Sequence, residues 1–172
     1  MKMTTPNYDK IDGAQVMNKY PWHEELGVHI IVVERWIGRD TRTKGFCDFA
    51  DWTVVKTLAG NDAAVGAKRS RMRKWSSDGT DSEMKNRAQA GLSAAGQKNK
   101  PGFEFPITAV TGQIVKGMHD DAGKKIVGYP LKIEVSTVKM KNGDPFTAIF
   151  YSVPTSRDLD GVALDDNGRV LL

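Results

Sequence analysis

Several short segments of the chain alternate hydrophobic and polar positions or concentrate β-branched residues, which is typical of strands in a sheet. The clearest is the run 28–33, VHIIVV, whose length and composition predict a well-buried strand. A polar turn bounded by Gly38 and Gly45 follows, and residues 46–58 return as a second apolar segment. The two segments therefore predict a long β-hairpin, with Trp52 in the core.

The middle of the chain predicts one more strand and one helix. Val65-Gly66 begins the third strand, and residues 68–75 alternate charged and smaller side chains, which predicts an exposed basic face. Residues 83–95 are the one strongly helical segment, with Asp81 or Ser82 capping its N-terminus. The thin apolar stripe of this helix consists of Met84, Ala88, Leu92 and Ala95.

Three further strands are predicted in the second half of the chain. Residues 107–115 and 126–138 form the first two, separated by a turn over 116–125. Asn142-Gly143 predicts a tight hairpin turn, because this dipeptide tolerates the positive φ angles that such a turn requires. Residues 146–153 then close the sheet.

The predicted order is β-β-β-α-β-β-β, so the fold class is mainly β. Strands joined by hairpins, with one helix between the third and the fourth, suit a small OB-like barrel in which the helix plugs an open end. We place this barrel at residues 27–153, after a weakly ordered arm over 1–26 in which one short helix is expected. A mildly acidic tail is expected over 154–172.

Composition narrows the class of protein. The chain has 172 residues, enough for one core, and no apolar run long enough to cross a bilayer. With no secretion signal in residues 1–10, we expect a cytoplasmic protein, in the host cytoplasm if it is viral. A single buried, inert thiol at Cys47 and three scattered histidines predict no disulfide, no metal and no cofactor.

Charge is distributed unevenly along the chain. The net charge is only +4, which by itself says little about partners. The basic residues are concentrated in the middle, whereas the last fifteen residues carry four aspartates and one arginine. Clustered cations bind a phosphate backbone, and a neighbouring tryptophan stacks on unpaired bases. The middle of the chain therefore predicts a surface for single-stranded nucleic acid.

The candidate site has two parts. One segment of alternating cations ends in an indole and would neutralise phosphates and stack a base. The first hairpin carries a second indole and four cations that would guide the strand over the barrel. These candidates are Arg35, Trp36, Arg39, Arg42, Lys44, Lys68, Arg69, Arg71, Arg73, Lys74 and Trp75.

Two other interpretations of these segments compete with a nucleic-acid-binding site. A charged strand also protects a sheet edge from aggregation, and this explanation of residues 68–75 has equal weight. A magnesium-dependent nuclease could hold its ion with Asp48 and Asp51, or with Asp120 and Asp121 together with His119. The second pair is more simply a turn, and we expect no catalytic residues and no enzyme.

The motifs also resemble a known family. The run 27–33, the turn Thr41-Arg42-Thr43-Lys44-Gly45, Trp75, a helix over 86–95 and the closing hairpin over 138–147 are similar to tailed-bacteriophage OB-fold proteins that bind single-stranded DNA. The resemblance covers about residues 27–153. It implies a protein that coats exposed strands during replication or recombination, with replication or recombination proteins as partners and no membrane.

A second class remains open. A virion structural protein, such as a tail or capsid component, would use a β-barrel to assemble into rings or lattices. Its polar N-terminal arm and the end Val170-Leu171-Leu172 would then contact neighbouring subunits in a homo-oligomer. A large closed ring that ignores DNA would favour this class, whereas a monomer or dimer that enlarges only with oligonucleotide would favour a DNA-binding protein.

Overall fold

Five strands and two α-helices are arranged along the part of the chain that the computed structural model describes, residues 20–172. The mainly β class is confirmed. The elements are β1 (Gly27–Thr41), β2 (Gly45–Gly60), β3 (Lys68–Lys74), α1 (Thr80–Gly96), a 3₁₀ turn (Ile107–Ala109), α2 (Gly112–Asp120), β4 (Pro130–Lys139) and β5 (Pro145–Ser152).

All five strands belong to one antiparallel sheet with the order β3-β2-β1-β4-β5. β1 is the centre of the sheet, because it pairs with β2 from Gly27 to Thr41 and with β4 from Gly27 to Val32. Within residues 20–172 no backbone ladder joins β3 to β5. The sheet is therefore not closed into a barrel, and the edges of β3 and β5 face a seam.

The core lies between the inner face of the sheet and α1. Ile31, Trp52 and Ile133 are fully buried on the sheet side, and Met84 and Ala88 of the predicted apolar stripe meet them from the helix. The helix also packs closely against the loop between α2 and β4 at Gly91, where an added Cβ would lie 2.7 Å from a methyl carbon of Ile126. A side chain there would force the helix away from the core.

The segment predicted as the fourth strand is not a strand. Residues 107–115 form the 3₁₀ turn and the first part of α2 instead. The side chain of Thr111 accepts a hydrogen bond from Ile114 N at 3.3 Å and caps the helix, and the buried residues Val115 and Met118 are three positions apart. This is helical spacing, so the prediction of a strand over 107–115 is wrong.

Three further predictions concern the start of β3, the N-terminus of the long helix and the last hairpin turn. Residues 65–66 form a turn rather than the start of β3, which begins at Lys68. The helix over 83–95 is confirmed, but its N-cap is Gly79 in a left-handed conformation (φ 84°) rather than Asp81 or Ser82. The hairpin at Asn142-Gly143 is confirmed, but Gly143 has a positive φ (87°) and Asn142 does not, and the longer connection 140–144 joins β4 to β5.

The two ends of the described chain pack against the sheet. Trp22 forms a parallel bridge with Ser70 and covers part of the free edge of β3. Towards the C-terminus, Lys132 of β4 pairs with Asp158 at 3.2 Å, and Val170 N donates to Gly128 O. The expected short helix and most of the arm predicted over 1–26 lie outside the described residues. Between Tyr20 and Leu172 no helix is long and apolar enough to cross a membrane.

Two histidines are buried in the core beside Trp52. Trp52 Nε1 donates a hydrogen bond to His23 Nδ1 at 3.1 Å, and the rings of His23 and His29 are 4.9 Å apart. Burial lowers the pKa of His23 from 6.5 to about 4, with His29 adding to the shift. A proton on His23 Nδ1 would also remove the acceptor that Trp52 uses.

This arrangement predicts acid sensitivity. Because the pKa of His23 is depressed in the folded state, its contribution to stability is complete above pH 6.5 and is lost as the pH falls towards 4. We expect the free energy of unfolding to fall by about 2–3 kcal/mol over this range, as measured by urea denaturation.

The control for this prediction is His23→Gln, whose side-chain carbonyl still accepts from Trp52 but does not titrate. Its stability should change little between pH 6.5 and 4.5. Arg69 lowers the pKa of Glu25 to about 2, so the contribution of that pair is lost at lower pH than the contribution of His23. An equal slope in wild type and variant would contradict the prediction.

Candidate nucleic-acid interface

An exposed indole lies where β3 ends beside the start of β2. Trp75 N donates a hydrogen bond to Phe46 O at 2.9 Å, and the two rings meet edge to face with centroids 5.2 Å apart. The Trp75 residue is 53% exposed, so one aromatic surface faces solvent while Phe46 supports the other side. A rigid, exposed indole of this kind provides a stacking surface.

Three exposed cations lie close to this indole along β3 or in the adjoining β1–β2 turn. Arg42 and Lys44 are exposed in the turn between β1 and β2, and Lys74 directly precedes Trp75. Within residues 20–172, none of the three has a carboxylate oxygen within 4.0 Å of its charged group. Their charges are therefore available to an anionic ligand.

A cleft continues from Lys74 along the seam between β3 and the β4–β5 hairpin; we call it the seam cleft. Its volume is about 650 Å³, in the range of ligand pockets. Apolar side chains and amines alternate along its walls, so that it offers both flat contact area and positive charge. The residues that carry these properties are Met72, Lys74, Lys139, Met140, Lys141 and Phe146.

Trp36, predicted to stack a base, is fully buried instead. The reason is a β-bulge between Val33 and Arg35, which resets the side-chain alternation of β1 so that Trp36 points inward like Val33. The indole Nε1 of Trp36 donates to Asp48, a buried carboxylate. Trp36 therefore belongs to the core, as does Trp52, for which burial was predicted.

Residues 68–75 do not present the exposed basic face that was predicted, because two of their arginines are buried. Arg71 and Arg73 are buried and both pair with Glu83 of α1, at 2.6 and 2.9 Å. Both guanidinium groups lie over the ring of Phe146 in β5, at 5.4 and 4.6 Å from its centroid. These two arginines hold the seam between β3 and β5 through side chains instead of presenting charge to solvent.

The other predicted cations have carboxylate or aromatic partners. Arg35 pairs with Asp51 at 3.1 Å, and the half-buried Arg39 lies over the ring of Phe49 at 5.0 Å. Lys68 pairs with Glu34, and Arg69 pairs with Glu25. Of the eleven predicted site residues, Arg42, Lys44, Lys74 and Trp75 are both exposed and free of such a carboxylate or cation–ring partner within the described chain.

Arg87, Asp48 and Glu83 form a cluster of buried charged side chains, which we call the ion cluster. Arg87 of α1 is completely buried and pairs with Asp48 at 2.7 Å and with Glu83 at 3.1 Å. Burial works to lower the pKa of Arg87, yet the neighbouring Asp48 raises it above the ordinary value. Burial likewise opposes ionisation of Asp48, but Arg87 holds the pKa of Asp48 below its usual range. Both groups are therefore charged in the folded protein.

The ion cluster and the indole are connected through His119. His119 Nε2 lies 2.8 Å from Asp48 Oδ1, and its ring packs against Trp36 and, at 6.2 Å, against Phe46. Phe46 in turn supports Trp75. Asp48, a candidate metal ligand of the nuclease interpretation, is thus occupied by hydrogen bonds. In residues 20–172 no group of three histidine, cysteine or carboxylate side chains is placed to hold a metal ion.

Sequence reasoning missed the second wall of the interface. The last hairpin was singled out only because it resembles a hairpin of the bacteriophage OB-fold proteins. Three of its residues line the seam cleft: Lys139, Lys141 and Phe146. The available signal was the pair of lysines that flank Met140, next to the Asn-Gly turn. These two lysines indicate a binding site only once the hairpin is known to lie opposite the end of β3.

Comparison with known proteins adds no relative. No protein-family model matches this sequence, and no curated protein matches it significantly.

Proposed function

We propose that the protein binds single-stranded DNA, coating exposed strands during replication or recombination. The proposed path begins at Arg42 and Lys44, crosses Trp75 and Lys74, and enters the seam cleft. Cations along this path would neutralise phosphates, and Trp75 would stack a base.

We interpret the sheet as an OB-like barrel that is open at one seam, and this interpretation supports DNA binding. The order β3-β2-β1-β4-β5, with a helix between β3 and β4 in the chain, becomes a five-stranded barrel when β3 meets β5. OB folds bind oligonucleotides on strands 2 and 3 and on the loops after strands 1 and 4. Those two loops here carry Arg42 with Lys44, and Lys141.

One observation carries the proposal: an indole exposed by 53% and packed against an aromatic ring, with cations in the neighbouring β1–β2 turn and directly before it in the chain that have no carboxylate partner within residues 20–172. Unpaired bases have aromatic faces to stack, whereas a duplex hides them. The arrangement therefore favours single strands over duplex.

Trp75→Ala is expected to weaken binding of labelled oligo(dT) by roughly tenfold or more, because base stacking on an aromatic side chain contributes about 1–3 kcal/mol. Fluorescence anisotropy at low ionic strength measures the affinity. The same substitution should remove most of the tryptophan quenching that oligo(dT) causes in the wild type, since Trp36 and Trp52 are buried.

Trp22→Ala is the matched control. Trp22 is 47% exposed, nearly as much as Trp75, but it lies beside Ser70 near the other end of β3. This variant should bind oligo(dT) like the wild type. If wild-type protein binds no oligo(dT) at low salt and instead forms a large closed ring, the virion structural class replaces the present proposal.

A further inference from the structure

In the part of the chain that the structure describes, one carboxylate without an ion-pair partner lines the otherwise cationic seam cleft. Asp78 is the only residue with a carboxylate among the described residues that line the cleft, which also include Lys74, Lys139 and Lys141. It is exposed, and no cation of residues 20–172 lies within 4.0 Å of its carboxylate oxygens. A negative charge in this position opposes phosphate binding.

The backbone around Asp78 is held in place. Arg73 Nη2 donates to Asp78 O at 2.7 Å, and Thr80 Oγ1 donates to Lys74 O at 2.6 Å, so both ends of the short loop after β3 are anchored. The carboxylate is therefore presented from a fixed backbone at the wall of the cleft. A fixed backbone limits the positions that the side chain can reach, which favours a specific hydrogen bond to a ligand.

The chemistry of the cleft selects the ligand group. Met72, Met140 and Phe146 offer apolar area for the flat face of a base, and the lysines offer charge for its phosphate. A carboxylate accepts hydrogen bonds and does not donate them, so it pairs with the exocyclic amino group of a base and repels a base carbonyl. Among pyrimidines, cytosine carries this amino group and thymine carries a carbonyl at the same position.

We propose that the seam cleft holds one unstacked base and that Asp78 makes it prefer an amino-bearing base, cytosine over thymine among pyrimidines. This inference rests on the proposed function and adds a specificity-determining residue to it. Trp75 would stack bases without distinguishing them, whereas Asp78 would discriminate between them.

The test compares short oligo(dC), oligo(dU) and oligo(dT) by anisotropy at one pH and one salt concentration. Wild-type protein should bind oligo(dC) about 5–10-fold more tightly than both others, and oligo(dU) shows that the thymine methyl group is not the cause. Asp78→Asn is nearly isosteric, but its amide both donates and accepts, so the preference should fall to within about twofold.

Asp81→Asn is the control, because Asp81 is an exposed first-turn carboxylate of α1 that does not line the seam cleft. It should keep the wild-type preference. If Asp78 merely stabilised the helix terminus, both variants would change stability and leave the ratio of affinities unchanged. Equal binding of all three oligonucleotides by the wild type overturns this inference alone, whereas binding of none overturns the proposed function as well.

Discussion

Replacing Arg87 with methionine is expected to destabilise the fold by about 3–5 kcal/mol, because it leaves the buried carboxylate of Asp48 without its cation. Arg87 is completely buried, and Tyr151 Oη lies 2.9 Å from Arg87 Nη2. The guanidinium also lies 4.9 Å from the centre of the Trp36 ring, so one substitution removes ion pairs, a hydrogen bond and a ring contact together. Methionine retains most of the aliphatic volume, so the loss reports mainly on charge.

Urea denaturation at pH 7 measures this effect. Lys85→Met is the control, because Lys85 is an exposed residue of the same helix with no carboxylate partner in the described chain. It should change the free energy of unfolding by less than about 0.5 kcal/mol. Equal effects of the two substitutions would mean that the buried ion cluster does not hold α1 against the sheet.

The second large effect concerns the cations of the interface. Changing Lys74, Lys139 and Lys141 together to alanine should weaken oligo(dT) binding roughly 100-fold at low salt, since each exposed charge contributes about 1 kcal/mol when it neutralises a phosphate. The dependence of log affinity on log salt concentration should become shallower by about 2, at about 0.7 for each phosphate that is no longer neutralised.

The matched control removes three other exposed lysines, Lys85, Lys124 and Lys125, which changes the net charge equally. Anisotropy titrations across a salt series should then return nearly the wild-type slope and affinity. If both triple variants lose affinity equally, net charge rather than the seam cleft attracts DNA, and the proposed path is wrong.

The two experiments separate folding from binding. The lysine variants alter exposed side chains without ion pairs in the described chain, so the protein should unfold at the same urea concentration as the wild type. The Arg87 variant should unfold at a lower urea concentration than the wild type. Its DNA affinity, measured under conditions in which the variant is still folded, shows whether α1 also positions the seam cleft.

Local sequence patterns predicted much of the sheet. The run 28–33 lies in β1 and residues 46–58 lie in β2, although β1 continues through the first part of the predicted turn to Thr41, and Asn142-Gly143 lies in the turn of the last hairpin. These predictions were confirmed because β-branched side chains and positive-φ turn residues act on their own backbone and immediate neighbours. The strand predicted over 107–115 was wrong for the opposite reason: its mixed apolar pattern had no clear period, and contacts of Val115 and Met118 with the core selected a helix.

The candidate site was predictable only in part. The charged turn at Arg42 and Lys44 was expected to be exposed, and so was Trp75 at the end of β3; the structure places them so. The second wall of the seam cleft comes from a hairpin more than 60 residues away in the chain, so nothing near Trp75 in the sequence indicated Lys139 or Lys141.

What the sequence determined by itself was therefore the mainly β class, the main hairpins, the long helix and an excess of cations in the middle of the chain. Only the tertiary structure decided which of those cations face solvent. A bulge in β1 turned Trp36 inward, and Glu83 from α1 drew Arg71 and Arg73 into the seam. Both outcomes depend on contacts between distant segments, because the energy of a charge or an indole is set by whether a partner or water surrounds it.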